Sequence, residues 1–186
     1  MKLENSFEVD APLEQAWELL MDAPRMIPCL PGAKLTGVVD DSHWTAEMGV
    51  KLGPIGLTFA TEIAREEVDE AERRVRLAAK AREVRNRGRA QASIASRLSP
   101  LDGGGTHVDI ATDLTLSGPV AQYGRGLIQD VSSQLVTSFA ECLKTQLAAE
   151  PEVAREAVAA QARPVAGLPL ILGALRGALA RFFGKR

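Results

Sequence analysis

Histidine and cysteine are scarce, at two of each in 186 residues. Cys29 and Cys142 stand in no CxxC or other ligand spacing, which argues against a structural zinc and fits a reducing cytoplasm. His43 and His107 fall in strands on outward positions, where a lone imidazole is ordinarily a surface residue. No Ser-His-Asp set, phosphate-binding loop or metal-ligand cluster is present, so no catalytic residue and no metal site is expected. Gly103-Gly104-Gly105 joins two strands and reads as a hairpin turn. Cys29 has no identifiable base to activate it and reads as a loop-packing thiol. Cys142 reads as a buried thiol on a helix. Aromatic residues make up 4% of the chain, so the core is left to Val, Leu, Ile and Ala. No stretch of about 18 clean apolar residues exists, which excludes an ordinary transmembrane helix. Met1 to Asp10 carries acids and no apolar run, so no secretory signal is expected.

Charge is plentiful but segregated. The net charge is -2. Residues 1–72 hold 5 basic and 15 acidic groups, and residues 73–97 hold 9 basic groups and one acid. Residues 164–186 hold four basic groups and no acid. Two basic regions on an acidic protein suggest oriented contact with an anionic surface or partner. The first, Lys80 to Arg89, reads as a basic hairpin with Arg82, Arg85, Arg87 and Arg89 at a positive tip. It has no aromatic platform beside it, so nucleic acid is not expected as a partner.

Apolar periodicity sets the elements. Residues 2–10 alternate as a strand. Asp10-Ala-Pro12 opens a short helix, with Asp10 accepting from its free N–H groups and Pro12 in the first turn. From residue 34 the period is two. Trp44, Ala46, Met48, Val50 and Leu52 share one face, and Leu57, Phe59, Thr61 and Ile63 share the next. Val75, Leu77, Ala79 and Ala81 follow, then Ala90, Ala92, Ile94, Ser96 and Leu98, then Val108, Ile110, Thr112, Leu114 and Leu116. Consecutive alternating strands imply an antiparallel meander with one wet face.

Ser117-Gly-Pro119 then starts a long helix, with Val120, Tyr123, Leu127, Val131, Leu135, Phe139, Leu143 and Leu147 as its stripe. This order is that of an α+β helix-grip fold, a curved antiparallel sheet wrapped around a long C-terminal helix. Small inward residues leave room for an apolar ligand. The expected lining is Trp44, Met48, Phe59, Thr61, Leu77, Ala79, Ala92, Ile110, Thr112, Tyr123, Leu127, Val131 and Leu135. The helix-grip domain is placed at 1–149, and 150–167 reads as a linker, part-helical between Pro151 and Pro164.

The last segment, 168–186, reads as an interfacial helix. At about 100° per residue, Leu168, Ile171, Leu172, Leu175, Leu179, Phe182 and Phe183 fall within an arc of roughly 120°. Arg176 edges that arc, Arg181 and Lys185 lie on the polar side, and Arg186 ends the chain. Only basic charges accompany the apolar stripe, as in helices that lie on anionic membrane; the alternative is a terminal helix packed on its own domain or on an oligomer partner.

FEVDAPLEQAWELLMD, IPCLPGAKLTG, VKLGPIGLTFATEI and YGRGLIQDVSSQLVTSFAECL, in that order, resemble the CoxG family of carbon monoxide dehydrogenase, within the polyketide-cyclase and START-like (SRPBCC) superfamily. The resemblance covers about residues 1–148. It implies an accessory of a molybdenum hydroxylase dehydrogenase, associated with the membrane and with no catalytic centre of its own. Cavity, tail and resemblance together point to an isoprenoid quinone or another lipid as ligand, non-covalently held, with no other cofactor. The expected location is cytoplasmic, peripheral on the inner face of the cell membrane. Docking to the dehydrogenase is expected through Cys29, Pro31 and Gly32 beside the cavity mouth, or through Arg85 and Arg87. The alternatives are a ligand-free membrane-recruitment adaptor, and a cyclase or hydrolase of small aromatic substrates.

Overall fold

The computed structural model describes residues 1–52 and 55–161. The expected tail, 168–186, and residues 162–167 lie outside the described residues. The chain divides into two units, 1–149 and 150–186.

Seven strands form one antiparallel sheet: β1 (Lys2–Val9), β2 (Ala33–Asp40), β3 (His43–Leu52), β4 (Ile55–Asp69), β5 (Arg74–Glu83), β6 (Arg89–Pro100) and β7 (Thr106–Ser117). Their order across the sheet is β1-β7-β6-β5-β4-β3-β2. Strands β2 to β7 form the expected meander, and β1 returns to pair with β7, Phe7 opposite Val108. Between β1 and β2 lie α1 (Leu13–Met21), α2 (Ala23–Met26) and a 3-10 turn at Ile27–Cys29. After β7 comes a 3-10 turn at Pro119–Gln122, then α3 (Arg125–Gln161). This is the helix-grip architecture.

Local chemistry departs from expectation in three places. Asp10 does not cap α1: Pro12 holds the N-cap position and no side chain bonds the free N–H groups. The capping carboxylate is Asp22, which accepts from Arg25 N at the start of α2. The long helix begins at Arg125, not beside Pro119, because Pro119 is satisfied in a 3-10 turn whose cap, Tyr123, is extended. The helix runs on to Gln161, within the stretch 150–167 read as a part-helical linker.

One half of the interface between sheet and helix is closed. Phe139, Leu143 and Leu147 of α3 pack with Trp17, Leu19 and Leu20 of α1 and with Val75, Leu98 and Val108 of the sheet. Phe7 meets Phe139 edge to face at 6.0 Å between centroids. Leu143 is 1% exposed, and burial of such a side chain contributes roughly 1.5–3 kcal/mol. This core fixes α3 around residues 139–147 and leaves its first turns over the other half of the sheet.

Cys29 and Cys142 are not separate thiols. They form a disulfide, with Cα atoms 5.4 Å apart across a sequence separation of 113. The 3-10 turn brings Cys29 inward against α3, and Gln146 completes the junction by donating from Nε2 to Arg25 O and Cys29 Sγ. Disulfides persist mainly in oxidising surroundings, so the cysteines no longer speak for a reducing compartment.

Candidate ligand cavity

Under residues 128–139 of α3 the sheet and helix part to enclose an apolar cavity of about 420 Å³. Its walls follow from period two. Inward residues of β3 to β7 alternate with outward polar ones, and many of the inward ones are small. Ala79 stands opposite Ala92, and Ala81 opposite Ala90. Methyl-sized side chains under a helix leave the space that bulkier ones would fill.

Of the residues expected to line it, Trp44, Met48, Phe59, Thr61, Leu77, Ala79, Ala92, Ile110, Thr112, Val131 and Leu135 do so. Tyr123 and Leu127 do not. They pack at its edge with Leu3, Leu57, Phe59, Val120 and Ile128. The reason is geometric: Tyr123 is extended backbone before α3 begins, and Leu127, in the first turn of the helix, is rotated by about 40° from Val131. The helix presents Ile128, Val131, Ser132, Leu135, Val136 and Phe139 instead. Ala23, Met26, Ile27 and Leu30, from α2 and the following turn, line it as well. Sequence pattern does not reveal them, because that proline-broken segment has no period to follow.

No lining side chain among the described residues ionises. Polar atoms come from Thr61, Ser96, Thr112 and Ser132. Ser132 Oγ is taken by Asn5 Nδ2 at 3.1 Å. Thr61 Oγ1 is buried without a hydrogen-bond partner, the one such side-chain atom among the described residues. An orphaned buried hydroxyl costs about 1–3 kcal/mol.

Continuing the β5 alternation one step past Ala81 reaches Glu83, on the inward face opposite Phe59. Glu83 is 0% exposed. Its Oε2 accepts from the backbone N–H of Arg85 at 2.7 Å and of Arg87 at 3.0 Å. Its Oε1 accepts from Arg87 Nη2 at 2.8 Å and Nε at 3.2 Å. Arg87 Nη2 also donates to Gly56 O at 2.8 Å. The Arg87 guanidinium first, then the backbone donors, hold the carboxyl down at about 2 from an ordinary 4.5. Glu83 is thus an anion with every oxygen engaged, a brace for the hairpin rather than a proton-transfer group.

The docking residues need correction on the same grounds. Arg87 is committed to Glu83 and Gly56 and is not a free cation of the tip. Arg85 is exposed. Cys29 is 4% exposed within its disulfide and cannot touch a partner. Pro31 is exposed. Gly32 has φ +80, and a Cβ there would collide with Gly49 O; Gly49 N donates to Gly32 O at 2.8 Å. That glycine serves the seating of the loop on β3. His43 bonds Asp40, and His107 lies between Glu8 and Asp109, both as outward residues. No group of three or more potential metal ligands gathers among the described residues. No described helix is long and apolar enough to cross a membrane.

The family model for the CoxG component of carbon monoxide dehydrogenase matches residues 6–148. No curated protein shows a significant match. Among solved structures, a conserved protein from Geobacillus kaustophilus superposes with TM-score 0.71 at 18% identity, covering 80% of this chain and 95% of that one. The Zhui aromatase/cyclase from Streptomyces sp. R1128 gives TM-score 0.56 at 15% identity, covering 80% and 94%. A START superfamily protein from Mycobacterium smegmatis gives 0.54 at 14%, covering 78% and 96%. At such identities these neighbours establish the shared fold alone.

Proposed function

This chain belongs to the CoxG family of carbon monoxide dehydrogenase, and from that premise we propose that it is a non-catalytic accessory of a molybdenum hydroxylase that carries an isoprenoid quinone. The observation that carries the proposal is the 420 Å³ cavity with an apolar lining. Pockets of this size hold small ligands by apolar contact, with a few polar groups fixing orientation. A quinone head offers carbonyl oxygens and an apolar ring, which suits a cavity with hydroxyls and no ionisable lining. Rotation of Thr61 about χ1 would let its orphaned hydroxyl donate to such a carbonyl. The protein supplies binding and position, and the quinone carries the electrons.

The lining weighs against the cyclase alternative, since proton transfer needs a titratable group within reach of the substrate. The cavity itself weighs against a ligand-free adaptor. We place the protein at the surface of the cell membrane, held by the amphipathic residues 168–186, where quinone is drawn and the dehydrogenase is served. Pro31 and Arg85 remain the exposed candidates for contact with that dehydrogenase.

Reconstitution tests the proposal. Purified dehydrogenase, its reducing substrate and quinone-loaded vesicles are combined with and without the protein. Quinone reduction should accelerate with the wild type and not with Ala92→Phe, which fills the cavity. Equal rates with and without the protein would contradict carriage.

A further inference from the structure

At the tip of the sheet, on the face away from the cavity, three strands end in a row. Arg82 of β5 stands opposite Arg89 of β6, and Arg89 stands opposite Ser117 of β7. Together with Asn86, Gly88 and Gly118 they line a concavity of about 300 Å³. Its base is tight. Gly88 has φ +143, and a Cβ on it would run into Val120 Cγ2 and Ser117 O. The hairpin and the strand end therefore meet backbone to backbone, and Val120 N donates to Arg87 O at 3.1 Å.

The charges of this niche are uncompensated. Like charges directly opposite on neighbouring strands destabilise a sheet. The other outward arginines of β5 and β6 each have a carboxylate: Arg74 with Asp69 at 3.0 Å, Arg76 with Glu67 at 3.4 Å, Arg97 with Glu72 at 3.3 Å. Lys80 stands opposite Glu62. Arg82, Arg85 and Arg89 have no acidic partner among the described residues, and Arg82 faces Ala60 on β4. The acid of the hairpin, Glu83, is buried and consumed by Arg87. Two guanidinium forks, a hydroxyl and an amide converge on a hollow that offers no anion of its own.

We propose that Arg82, Arg89, Asn86 and Ser117 form a binding niche for the phosphate of an anionic membrane lipid. The chemistry is that of guanidinium on phosphate, in which charge-assisted, bidentate hydrogen bonds supply both strength and direction. A lipid source is favoured over free phosphate by the apolar side chains exposed at the same end of the sheet. Val84, the next residue after Glu83, is 54% exposed at the hairpin, and Ile55 is 38% exposed at the start of β4, opposite Leu52. Apolar side chains exposed at the same end of a sheet as unpaired cations fit the interface of a bilayer, where the apolar groups enter the acyl boundary and the cations meet headgroups. Leu116 and Val120, on either side of Ser117 and Gly118, line the cavity. A headgroup held in the niche thus sets that end of the cavity against the bilayer. The niche deepens the membrane placement proposed above and rests on that reading, but it uses residues separate from 168–186.

The test uses the full chain with Val84→Trp as an interfacial reporter. Trp17 and Trp44 are buried and give a constant background. Phosphatidylcholine vesicles containing phosphatidylglycerol should shift the added emission to the blue, and phosphatidylcholine alone should not. Arg82→Gln with Arg89→Gln should abolish the shift and weaken co-sedimentation roughly 30-fold, two basic contacts at about 1 kcal/mol each. Arg82→Lys with Arg89→Lys should retain part of it, since the charge is kept and the bidentate fork is lost, which separates charge from misfolding. Co-sedimentation without a blue shift, or a shift indifferent to the glutamines, overturns the niche and leaves the tail as anchor. Inorganic phosphate shifting the amide resonances of Asn86 and Gly88, with vesicle binding unaffected by the glutamines, overturns the lipid source. No co-sedimentation of any variant overturns the membrane placement as a whole.

Discussion

Glu83 and Arg87 are joined side chain to side chain at 2.8 Å, and Glu83 also caps the N–H groups of Arg85 and Arg87 from a fully buried position. One inward carboxylate thereby folds the basic hairpin back on itself and closes the sheet near Phe59 and Gly56.

Glu83→Gln should lower the melting temperature by several degrees at neutral pH, because an amide offers one accepting oxygen in place of two and lacks the charge that pairs with Arg87. The pH dependence follows from the sign of the shift. The carboxyl is held at about 2 when folded and near 4.5 when not. Its contribution is therefore complete above about 4.5 and is lost as pH falls toward 2. Melting curves taken from about pH 6 down to about pH 2, from above the unfolded value to the folded one, should draw most of the way together for wild type and Glu83→Gln at the acid end. A constant gap across that range contradicts the assignment.

The disulfide closes a long loop, since its cysteines are separated by 113 in sequence. Replacing both with serine should destabilise the domain by about 2–4 kcal/mol, read by urea unfolding. Thiol titration of the denatured, non-reduced chain should find no free thiol. Two free thiols would refute the bond.

Ala79→Phe or Ala92→Phe should leave stability nearly unchanged and eliminate ligand binding, since each points into free volume. If the space were already packed, the same substitutions would cost about 1–3 kcal/mol. Thermal melts and a fluorescent lipid-displacement titration separate the two outcomes.

Thr61→Val should do two opposite things. Removing an unpartnered buried hydroxyl should stabilise the empty protein by about 1 kcal/mol. It should also weaken binding of a quinone while leaving binding of a plain hydrocarbon chain alone. Equal effects on both ligands would show that the hydroxyl takes no part.

Deleting residues 164–186 should abolish most flotation with anionic liposomes and leave the fold of 1–149 intact by circular dichroism. Flotation of the truncated chain equal to that of the full one would remove the tail from the account.

The inward faces of β3 to β7 are legible in the sequence because period two survives along each strand, and the Ala79 and Ala92 positions that make the cavity follow from it directly. Where the period fails, so does the sequence signal. Ala23, Met26, Ile27 and Leu30 reach the cavity from a segment broken by Pro24 and Pro28. Leu127 falls at the cavity's edge because spacings of three and four fit several helix phases and only packing selects one, and Tyr123 because the helix starts only at Arg125. Glu83 occupies the next inward position of β5, yet its charge gives it the look of a solvated hairpin residue. The pairing of Cys29 with Cys142 depends on a contact between a turn and a helix far apart in sequence, which no local spacing records.

The central claim, carriage of an apolar ligand, is tested most directly by organic extraction of the purified full-length protein followed by mass spectrometry. The account predicts an isoprenoid quinone in near-stoichiometric amount from the wild type and a strong depletion from Ala92→Phe. Wild-type protein that yields no more lipid than Ala92→Phe would contradict it.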